Sequence, residues 1–238
     1  MKKIKYLQIQ FKDEITAEEL PKFRGAVIAA ATEENVLFHN HVDDNYRYAY
    51  PLIQYKRIGK RPAMICLEEG TEQIYAFFSR PNATLRLGNR ELPCEIDRLY
   101  LNEITMQAWD KNYAYKIERW LALTDENYRT YLSIEAEAER KLFLAKMMTG
   151  NLLSMAKGLA WHVDKPIEVR ISHILRERKT VYKNNAMIAF DVEFSCNIWL
   201  PEYIGLGKSS AMGYGVVRKC PSLTLPRKER IFNNAFKN

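Results

Sequence analysis

The chain has 238 residues, which is enough for one large domain or for two domains of about 120 residues each. Its hydrophobic fraction of 47% can supply packed cores. Because neither an apolar run of about 18 residues nor a signal-peptide h-region is present, we expect a cytoplasmic protein with no membrane partner. The net charge of +7 at pH 7 favours a polyanion or another anionic surface as the partner.

The cysteines do not have the spacing of a metal site. Cys66, Cys94, Cys196 and Cys220 are scattered along the chain, and no Cys-x-x-Cys pair is present. Scattered cysteines in a chain without a secretory signal are usually reduced thiols. We therefore predict no disulfide framework, no metal site and no cofactor.

The first half of the chain has the pattern of a β-α-β-β-α-β unit. The predicted elements are a strand at 3–12, a helix ending near 31, strands at 46–56 and 61–67, a helix at 71–79, and strands at 84–87 and 93–101. Thr16 and Glu19 have the spacing of a capping box before the first helix, although Pro21 also suits its first turn. This order of elements is the ferredoxin-like plan.

The second half repeats this plan with one substitution. The predicted elements are a strand at 113–123, a cap or turn at Asp125, a long helix at 134–161 and two long strands at 167–176 and 180–198. The helix carries an apolar stripe of Leu144, Met148, Leu152, Met155 and Leu159. A glycine-rich loop stands where the first half has its second helix. We therefore predict an α+β fold of two tandem ferredoxin-like (RRM-like) domains, residues 1–118 and 119–238, with a C-terminal glycine-rich loop.

That loop, residues 205–215, reads Gly-Leu-Gly-Lys-Ser-Ser-Ala-Met-Gly-Tyr-Gly. Neither a Walker loop nor a dinucleotide fingerprint fits, because Glu202 and Ser210 stand where those motifs need glycine. Successive main-chain N–H groups in such turns can bind anions, so we predict contacts with polynucleotide phosphates; an ordinary glycine-rich hairpin is the alternative. The candidate residues are Gly205, Gly207, Lys208, Ser209, Gly213 and Gly215.

Two segments carry much of the positive charge. Residues 45–67 contain five basic residues and no acidic residue, and residues 165–183 contain six basic and two acidic residues. A basic hairpin fits a surface that follows an RNA backbone, and a solvated strand face is the alternative. The candidate RNA contacts are Arg57, Arg170, Arg176, Arg178 and Lys179.

His39 and His41 are the candidates for acid–base chemistry. In extended backbone, residues i and i+2 point to the same side, so both imidazoles can line one pocket. Cleavage of RNA without a metal needs a base for the 2′-hydroxyl and an acid for the departing 5′-oxygen, and histidine suits both near neutral pH. Lys56, Arg57 or Tyr48 could then stabilise charge on the phosphate. The alternatives are two solvent-exposed histidines or a shared zinc, for which no third ligand stands nearby in sequence.

Several segments are similar to those of a known family. They are Leu-Pro-Lys-Phe-Arg-Gly at 20–25, His-Asn-His at 39–41, Tyr-Pro-Leu-Ile-Gln-Tyr-Lys at 50–56, Trp-Leu-Ala-Leu at 120–123, and Gly-Leu-Gly, five residues, Gly-Tyr-Gly at 205–215. Together they resemble the CRISPR repeat-processing endoribonucleases of the Cas6 family, in the RAMP superfamily. The glycine-rich loop is the most specific of these segments, and the resemblance covers essentially residues 1–218.

The resemblance implies two ferredoxin-like domains and metal-independent cleavage of CRISPR repeat RNA, which leaves a 2′,3′-cyclic phosphate and a 5′-hydroxyl. Members of the family often combine a loop histidine with a tyrosine on the first helix and a lysine farther on. The first predicted helix has no tyrosine, so that role passes to Tyr46, Tyr48 or Tyr50. Lys56 is the candidate lysine. Between the two histidines we favour His41.

The leading hypothesis is therefore an endoribonuclease that releases guide RNAs from a precursor transcript. A non-catalytic RNA-binding subunit of a CRISPR effector complex is the alternative, because related proteins keep the fold without cleaving. A general RNA chaperone would instead bind without preference for sequence or hairpin. CRISPR repeat RNA is the predicted partner, an effector complex is a further possible one, and a monomer and a homodimer are both compatible with the sequence.

Overall fold

The computed structural model of the chain describes residues 1–31, 41–42, 45–46, 50–78, 84–182 and 185–220. The strands of the first half are β1 Lys2–Phe11, β2 His41–Val42, β3 Asn45–Tyr46, β4 Ile53–Ile58, β5 Arg61–Leu67, β6 Thr84–Leu87, β7 Arg90–Pro93 and β8 Ile96–Met106. The helices of this half are α1 Leu20–Ala30 and α2 Glu69–Phe78. Pro21 lies in the first turn of α1, and the Glu19 carboxylate accepts a hydrogen bond from the Thr16 N–H at 2.8 Å.

The first sheet has the antiparallel strand order β4-β5-β1-β8. Alternation along β1 sends Leu7, Ile9 and Phe11 into one core cluster with Phe23 of α1 and Ile74 of α2. The opposite face of β1 carries the even-numbered residues from Ile4 to Gln10. The two edge strands of the sheet are therefore β4 and β8.

The second half contains β9 Ala108–Trp120, α3 Asp125–Ser133, α4 Glu137–Gly158, β10 Val169–Tyr182, β11 Asn185–Ile198 and β12 Val216–Lys219. Its sheet has the order β10-β11-β9-β12, which is the spatial order of the first sheet repeated. Residues 199–215 connect β11 to β12, in the place that α2 occupies in the first half. The predicted α+β fold of two tandem ferredoxin-like domains is confirmed.

Helix α4 is the long helix that the apolar periodicity predicted. Leu144, Met148, Leu152 and Met155 are fully buried along one stripe. Helix α3 was not predicted beyond a cap or turn at Asp125; its N-cap is Thr124, whose side-chain oxygen accepts the Asn127 N–H at 3.3 Å. Among the described residues, no helix has the length and apolar character needed to cross a membrane.

Several predicted strand boundaries were wrong: β8 runs from Ile96 to Met106 instead of 93–101, and β9 runs from Ala108 to Trp120 instead of 113–123. The strand expected at 46–56 does not pair continuously, since the pairing of β4 with β5 starts at Ile53, after the non-donating Pro51. The turn expected near 177–179 is strand instead, and β10 and β11 pair as far as Tyr182 and Asn185. The charged Arg-Glu-Arg-Lys segment there resembles a turn in composition, but its cross-strand partners are mostly apolar residues of a central strand.

The two sheets share one core. A single apolar cluster joins Ile4, Tyr6 and Ile104 of the first sheet to Tyr115 and Phe194 of the second. Only one residue, at position 107, separates β8 from β9, so the chain has no linker in which the domains could move apart. The division between residues 118 and 119 stays a prediction; the hydrogen-bonded sheets change between Met106 and Ala108.

Gly215, which leads into β12, provides a test of this connection. It has φ +60, and an added Cβ would collide with the Leu206 carbonyl oxygen. We expect Gly215→Ala to lower the free energy of unfolding by about 2–4 kcal/mol, because left-handed strain and overpacking add. Gly150→Ala is the control. This exposed helical glycine has open space around it, so the change should raise the free energy of unfolding, by at most about 1 kcal/mol. Equal denaturation midpoints for the two variants would show that residue 215 does not pack this closely against the Leu206 carbonyl.

Candidate functional site

The glycine-rich loop runs along the edge of the first sheet. Strand β4 is an edge strand, and its outer side pairs with the loop through a parallel bridge between Tyr55 and Met212. The Tyr55 N–H donates to the Ala211 carbonyl at 2.9 Å. The loop of the second domain therefore covers an edge of the first domain that would otherwise expose unpaired main-chain groups. We call this contact between residues 50–56 and 205–212 the loop–strand seam.

Side chains of the first domain satisfy the loop's main chain in this seam. The Gly205 N–H donates to the Gln54 side-chain oxygen at 2.8 Å, and the Gly205 carbonyl accepts the Tyr50 hydroxyl at 2.8 Å. The Gln54 amide in turn donates to the Tyr50 oxygen at 3.0 Å. This closed ring of hydrogen bonds is buried, and burial raises the pKa of Tyr50. Tyr50 is thus held inside the seam, which leaves Tyr46 and Tyr48 as candidates for the family's tyrosine.

Lys56 lies at the bottom of the same seam. Its side chain is fully buried, and Nζ donates to the Ser210 carbonyl at 2.7 Å. Burial lowers its pKa from 10.5 to about 7. Gly205 makes room for the amine, because a Cβ there would stand 2.5 Å from Nζ. In this conformation the amine contacts the loop, and the loop separates it from solvent.

The candidate residues of the loop have different surroundings. Gly205, Gly213 and Gly215 are buried against protein, Gly207 and Ser209 are half-buried, and Lys208 is exposed. Main-chain N–H groups at five loop positions donate to protein acceptors: Gly205, Leu206, Lys208, Met212 and Gly215. Those five groups serve the fold here; among the predicted phosphate contacts of the loop, the Lys208 side chain is the most exposed, and Gly207 and Ser209 are partly accessible.

A basic trough lies beside the loop, where the two domains meet. It consists of two cavities of about 530 and 230 Å³ that share Glu118 and Arg119. The smaller cavity is lined by Arg57 of the first domain and by Arg218 of the second. The charged lining residues of the trough are Arg57, Lys116, Glu118, Arg119, Arg176, Arg178, Asp191 and Arg218.

The trough is strongly positive, because six basic residues face two acidic ones. Glu118 is bound by Lys116 at 2.9 Å and by Arg218 at 3.1 Å. Burial opposes its ionisation, but the hydrogen bonds and charges of these two neighbours lower its pKa overall. Asp191 is bound by Arg178 at 2.8 Å. Both carboxylates are therefore neutralised by the trough's own cations, and the remaining charge is available to a polyanion.

Arg119 lies at the junction of the two cavities in an unusual backbone conformation. Its φ is +53, at a bulge where the pairing of β9 with β11 shifts. The Asp191 carboxylate accepts its N–H at 2.8 Å, and its carbonyl accepts the Gly215 N–H. The guanidinium lies 4.4 Å from the ring centre of Tyr214. Within the described part of the chain it has no carboxylate partner.

The structure brings together only some of the predicted RNA contacts. Arg57, Arg176 and Arg178 line the trough, whereas Arg170 and Lys179 are exposed on β10 outside it. Sequence reasoning missed Lys116, Arg119 and Arg218. These three belong to strands of mixed charge, and only the pairing of β9 with β12 places them together.

The predicted catalytic segment is described only in part. His41 begins β2 and pairs with Tyr46 of β3 in a two-stranded ladder. His39 and Tyr48 lie outside the described residues. His162 and His173 are exposed, and His173 Nδ1 lies 3.0 Å from Glu193. In the described ranges, no group of three His, Cys, Asp or Glu residues could hold a metal ion.

Comparison with known proteins shows which family the chain is similar to. Residues 2–105 match the Cas6b N-terminal domain family, and residues 107–220 match the Cas6b C-terminal domain family. The chain belongs to the Cas6b family. A crystal structure of Cas6b is 27% identical, covers 92% of this chain and 100% of its own, and superposes with a TM-score of 0.83.

Two further proteins are similar to this Cas6b chain. The structure of a CRISPR RNA processing endoribonuclease Cas6b, 24% identical with a TM-score of 0.71, covers 92% of this chain and all of its own. An uncharacterized protein of Methanocaldococcus jannaschii, MJ0978, is 33% identical over 101 residues, which are 42% of this chain and 67% of that protein. The two Cas6b family matches end at 105 and begin at 107, so they divide the chain at Met106, the last residue of β8.

The buried amine of Lys56 predicts a pH dependence of stability. The unfolded chain protonates Lys56 with the ordinary pKa of 10.5, whereas the folded chain does so only below about 7. Between these values the unfolded state binds more protons, so stability should rise with pH, by up to about 1.4 kcal/mol per unit. We expect Lys56→Met to remove this rise.

The measurement is urea denaturation of both proteins from pH 7 to 9. The difference between the two curves cancels the titration of cysteines and tyrosines, which both proteins share. Parallel curves would show that the Lys56 ammonium is not destabilised by burial in the seam.

Proposed function

We propose that this chain is an endoribonuclease that cleaves CRISPR repeat RNA within the precursor transcript and releases guide RNAs. Membership of the Cas6b family supports this, as does its similarity to a structure described as a CRISPR RNA processing endoribonuclease. The observation that carries the proposal is the basic trough. It combines residues of both domains into one positive surface of six cations, beside the family's glycine-rich loop.

The trough suits a phosphodiester backbone better than a single small anion. Its two cavities are adjacent and share Glu118 and Arg119 in their linings, so successive phosphates of one backbone can bind to cations of both. The carboxylates of Glu118 and Asp191 hold nearby lysine and arginine side chains in place. These cations therefore lose less conformational freedom when RNA binds. We expect the exposed Lys208 side chain to add a further phosphate contact.

Our proposed mechanism is metal-independent and uses the histidines. A base takes the proton of the 2′-hydroxyl, and the 2′-oxygen attacks the adjacent phosphorus. The bond to the 5′-oxygen breaks as an acid protonates that oxygen, so the products are a 2′,3′-cyclic phosphate and a 5′-hydroxyl. We assign one of these proton transfers to His41, with His39 as the alternative for that role. The pairing of His41 with Tyr46 favours Tyr46 over Tyr48 as the tyrosine of the site.

We further propose that Lys56 acts on this site indirectly. The fully buried Lys56 amine donates a hydrogen bond to the Ser210 carbonyl and so supports the loop. The loop in turn borders the trough at Gly213. Charge stabilisation on the phosphate then falls to groups at the surface. Of the candidates from the sequence, Arg57 is the best placed for this role, because it lines the trough. Its Nε–H donates a hydrogen bond to the Ile15 carbonyl at 2.7 Å, which orients the guanidinium.

Cleavage of a labelled CRISPR repeat RNA in EDTA tests the mechanism. Because histidine supplies the proton transfers, cleavage should persist in EDTA, and a deoxy substitution just upstream of the scissile phosphate should block it without loss of binding. His41→Ala should slow cleavage by about 10²–10⁴, with little change in RNA affinity.

His162→Ala is the matched control, because this histidine is exposed in the second domain and should leave the rate unchanged. If only His39→Ala is inactive, the assignment within the pair is reversed and the mechanism stands. Strict magnesium dependence would refute the mechanism. If neither histidine matters, the non-catalytic RNA-binding subunit of an effector complex becomes the better description.

The trough makes a separate prediction about binding. Arg119→Ala removes a cation that has no carboxylate partner in the described residues, so RNA affinity should fall for all sequences. The log–log slope of affinity against salt should shrink by about 0.7–1. Arg129→Ala, at an exposed position of α3 outside the trough, should leave the slope unchanged. Equal slopes for both variants would show that RNA does not occupy the trough.

A further inference from the structure

A third cavity, of about 730 Å³, lies on the face of the first sheet that is turned away from its helices. Ile4 and Tyr6 at one end of this face are buried against the second domain. Beyond them the face is open, and residues 199–203 of the second domain form a wall beside it. We call this cavity the aromatic pocket. Its volume is typical of small-molecule and cofactor sites, about 300–1,000 Å³.

Four aromatic side chains give the pocket its character: Tyr6, Tyr100, Trp199 and Tyr203. Tyr6 is buried at the floor, where its hydroxyl donates to the Glu202 carbonyl at 2.7 Å. Tyr100 of edge strand β8 meets it edge-to-face, with ring centres 6.5 Å apart, and remains 55% exposed. Leu99, which also lines the pocket, is 57% exposed, and a contiguous exposed apolar surface of this kind marks a binding site.

Cations border these rings. Lys219 Nζ lies 4.3 Å from the ring centre of Trp199, and the Arg218 guanidinium lies 5.2 Å from that of Tyr203. Arg218 also lines the smaller cavity of the basic trough. The aromatic pocket is therefore the neighbour of the trough, and one polynucleotide can place phosphates at Arg218 and a base among the rings.

The polar groups of the pocket fit the edge of a base. The Gln8 carboxamide lies 3.3 Å from the Tyr6 hydroxyl, whose proton is already donated to the Glu202 carbonyl, so the carboxamide keeps hydrogen-bonding capacity for the edge of a base. The two lining carboxylates are already engaged: Asp97 binds Arg61, and Glu202 accepts the Lys219 N–H at 3.4 Å. Aromatic faces, amide groups and neighbouring cations form the combination by which proteins bind unpaired nucleotides.

We propose that the aromatic pocket binds an unpaired nucleobase of the RNA, stacked on Tyr100. This inference rests on the proposed function for its ligand class, but it concerns a surface separate from the cleavage chemistry and from the phosphate contacts of the trough. An unpaired base can enter the pocket, whereas a base within a helix remains stacked on its neighbours. The pocket thus selects a single-stranded segment beside the backbone that the trough holds.

The test compares two neighbouring residues of β8. Tyr100→Ala should weaken binding of a single-stranded RNA by about 5- to 150-fold, the range found for loss of one stacked base, and should leave the salt slope unchanged because no phosphate contact is lost. Tyr100→Phe should keep wild-type affinity. Leu101→Ala is the control: Leu101 is 64% exposed on the same strand but does not line the pocket.

An RNA with 2-aminopurine at successive positions provides the second readout. One position should show fluorescence quenching with the wild-type chain that is lost with Tyr100→Ala. Wild-type affinity of Tyr100→Ala, or equal losses for Tyr100→Ala and Leu101→Ala, would overturn the proposal and leave the exposed strand as a protein-binding surface. A wild-type chain that shows the quenching but does not cleave repeat RNA would refute the proposed function while the pocket stands.

Discussion

The arrangement of the two domains depends on main-chain hydrogen bonds between an edge strand and a loop that belong to different domains. Strand β4 has one side free, and the glycine-rich loop occupies that side at Tyr55. Gln54 and Tyr50 then satisfy both main-chain groups of Gly205. Because these polar groups are buried, separating the domains would leave several of them without partners, at about 1–3 kcal/mol each. The loop's glycines are needed where backbone and side chains approach too closely for a Cβ.

The seam and the trough accommodate their positive charges in different ways. Lys56 contributes a buried amine that needs no carboxylate, since it donates to the Ser210 carbonyl and burial brings its pKa to about 7. In the trough the opposite arrangement holds, because Glu118 and Asp191 bind several of the surrounding cations. Arg119 is set at a bulge between these carboxylates, so its position depends on backbone geometry as much as on charge.

Features that arise from local periodicity could be predicted from the sequence. The alternation in β1 and the stripe of α4 are repeating patterns of one element, and both domains were recognised from them. Helix α3 was missed although Thr124 marks its start, because its exposed residues give little apolar periodicity. The burial of Lys56 could not be seen locally, since the loop that covers it lies 154 residues away. The trough was missed for the same reason: Arg119 and Arg218 meet only through the pairing of β9 and β12.

The distance along the chain between the two sides of the seam has a consequence during synthesis. The first sheet can form as soon as β8 leaves the ribosome, but its β4 edge stays unpaired until the loop has been made. At roughly 5–20 residues per second, the 104 residues from Met106 to Ser210 (210 minus 106) take on the order of 5–20 s. For that interval a nascent chain presents an open strand edge, which is a template for pairing with another chain. Crowded polysomes would therefore expose this protein to co-translational aggregation, and a chaperone that shields strand edges would act on it before the second domain is complete.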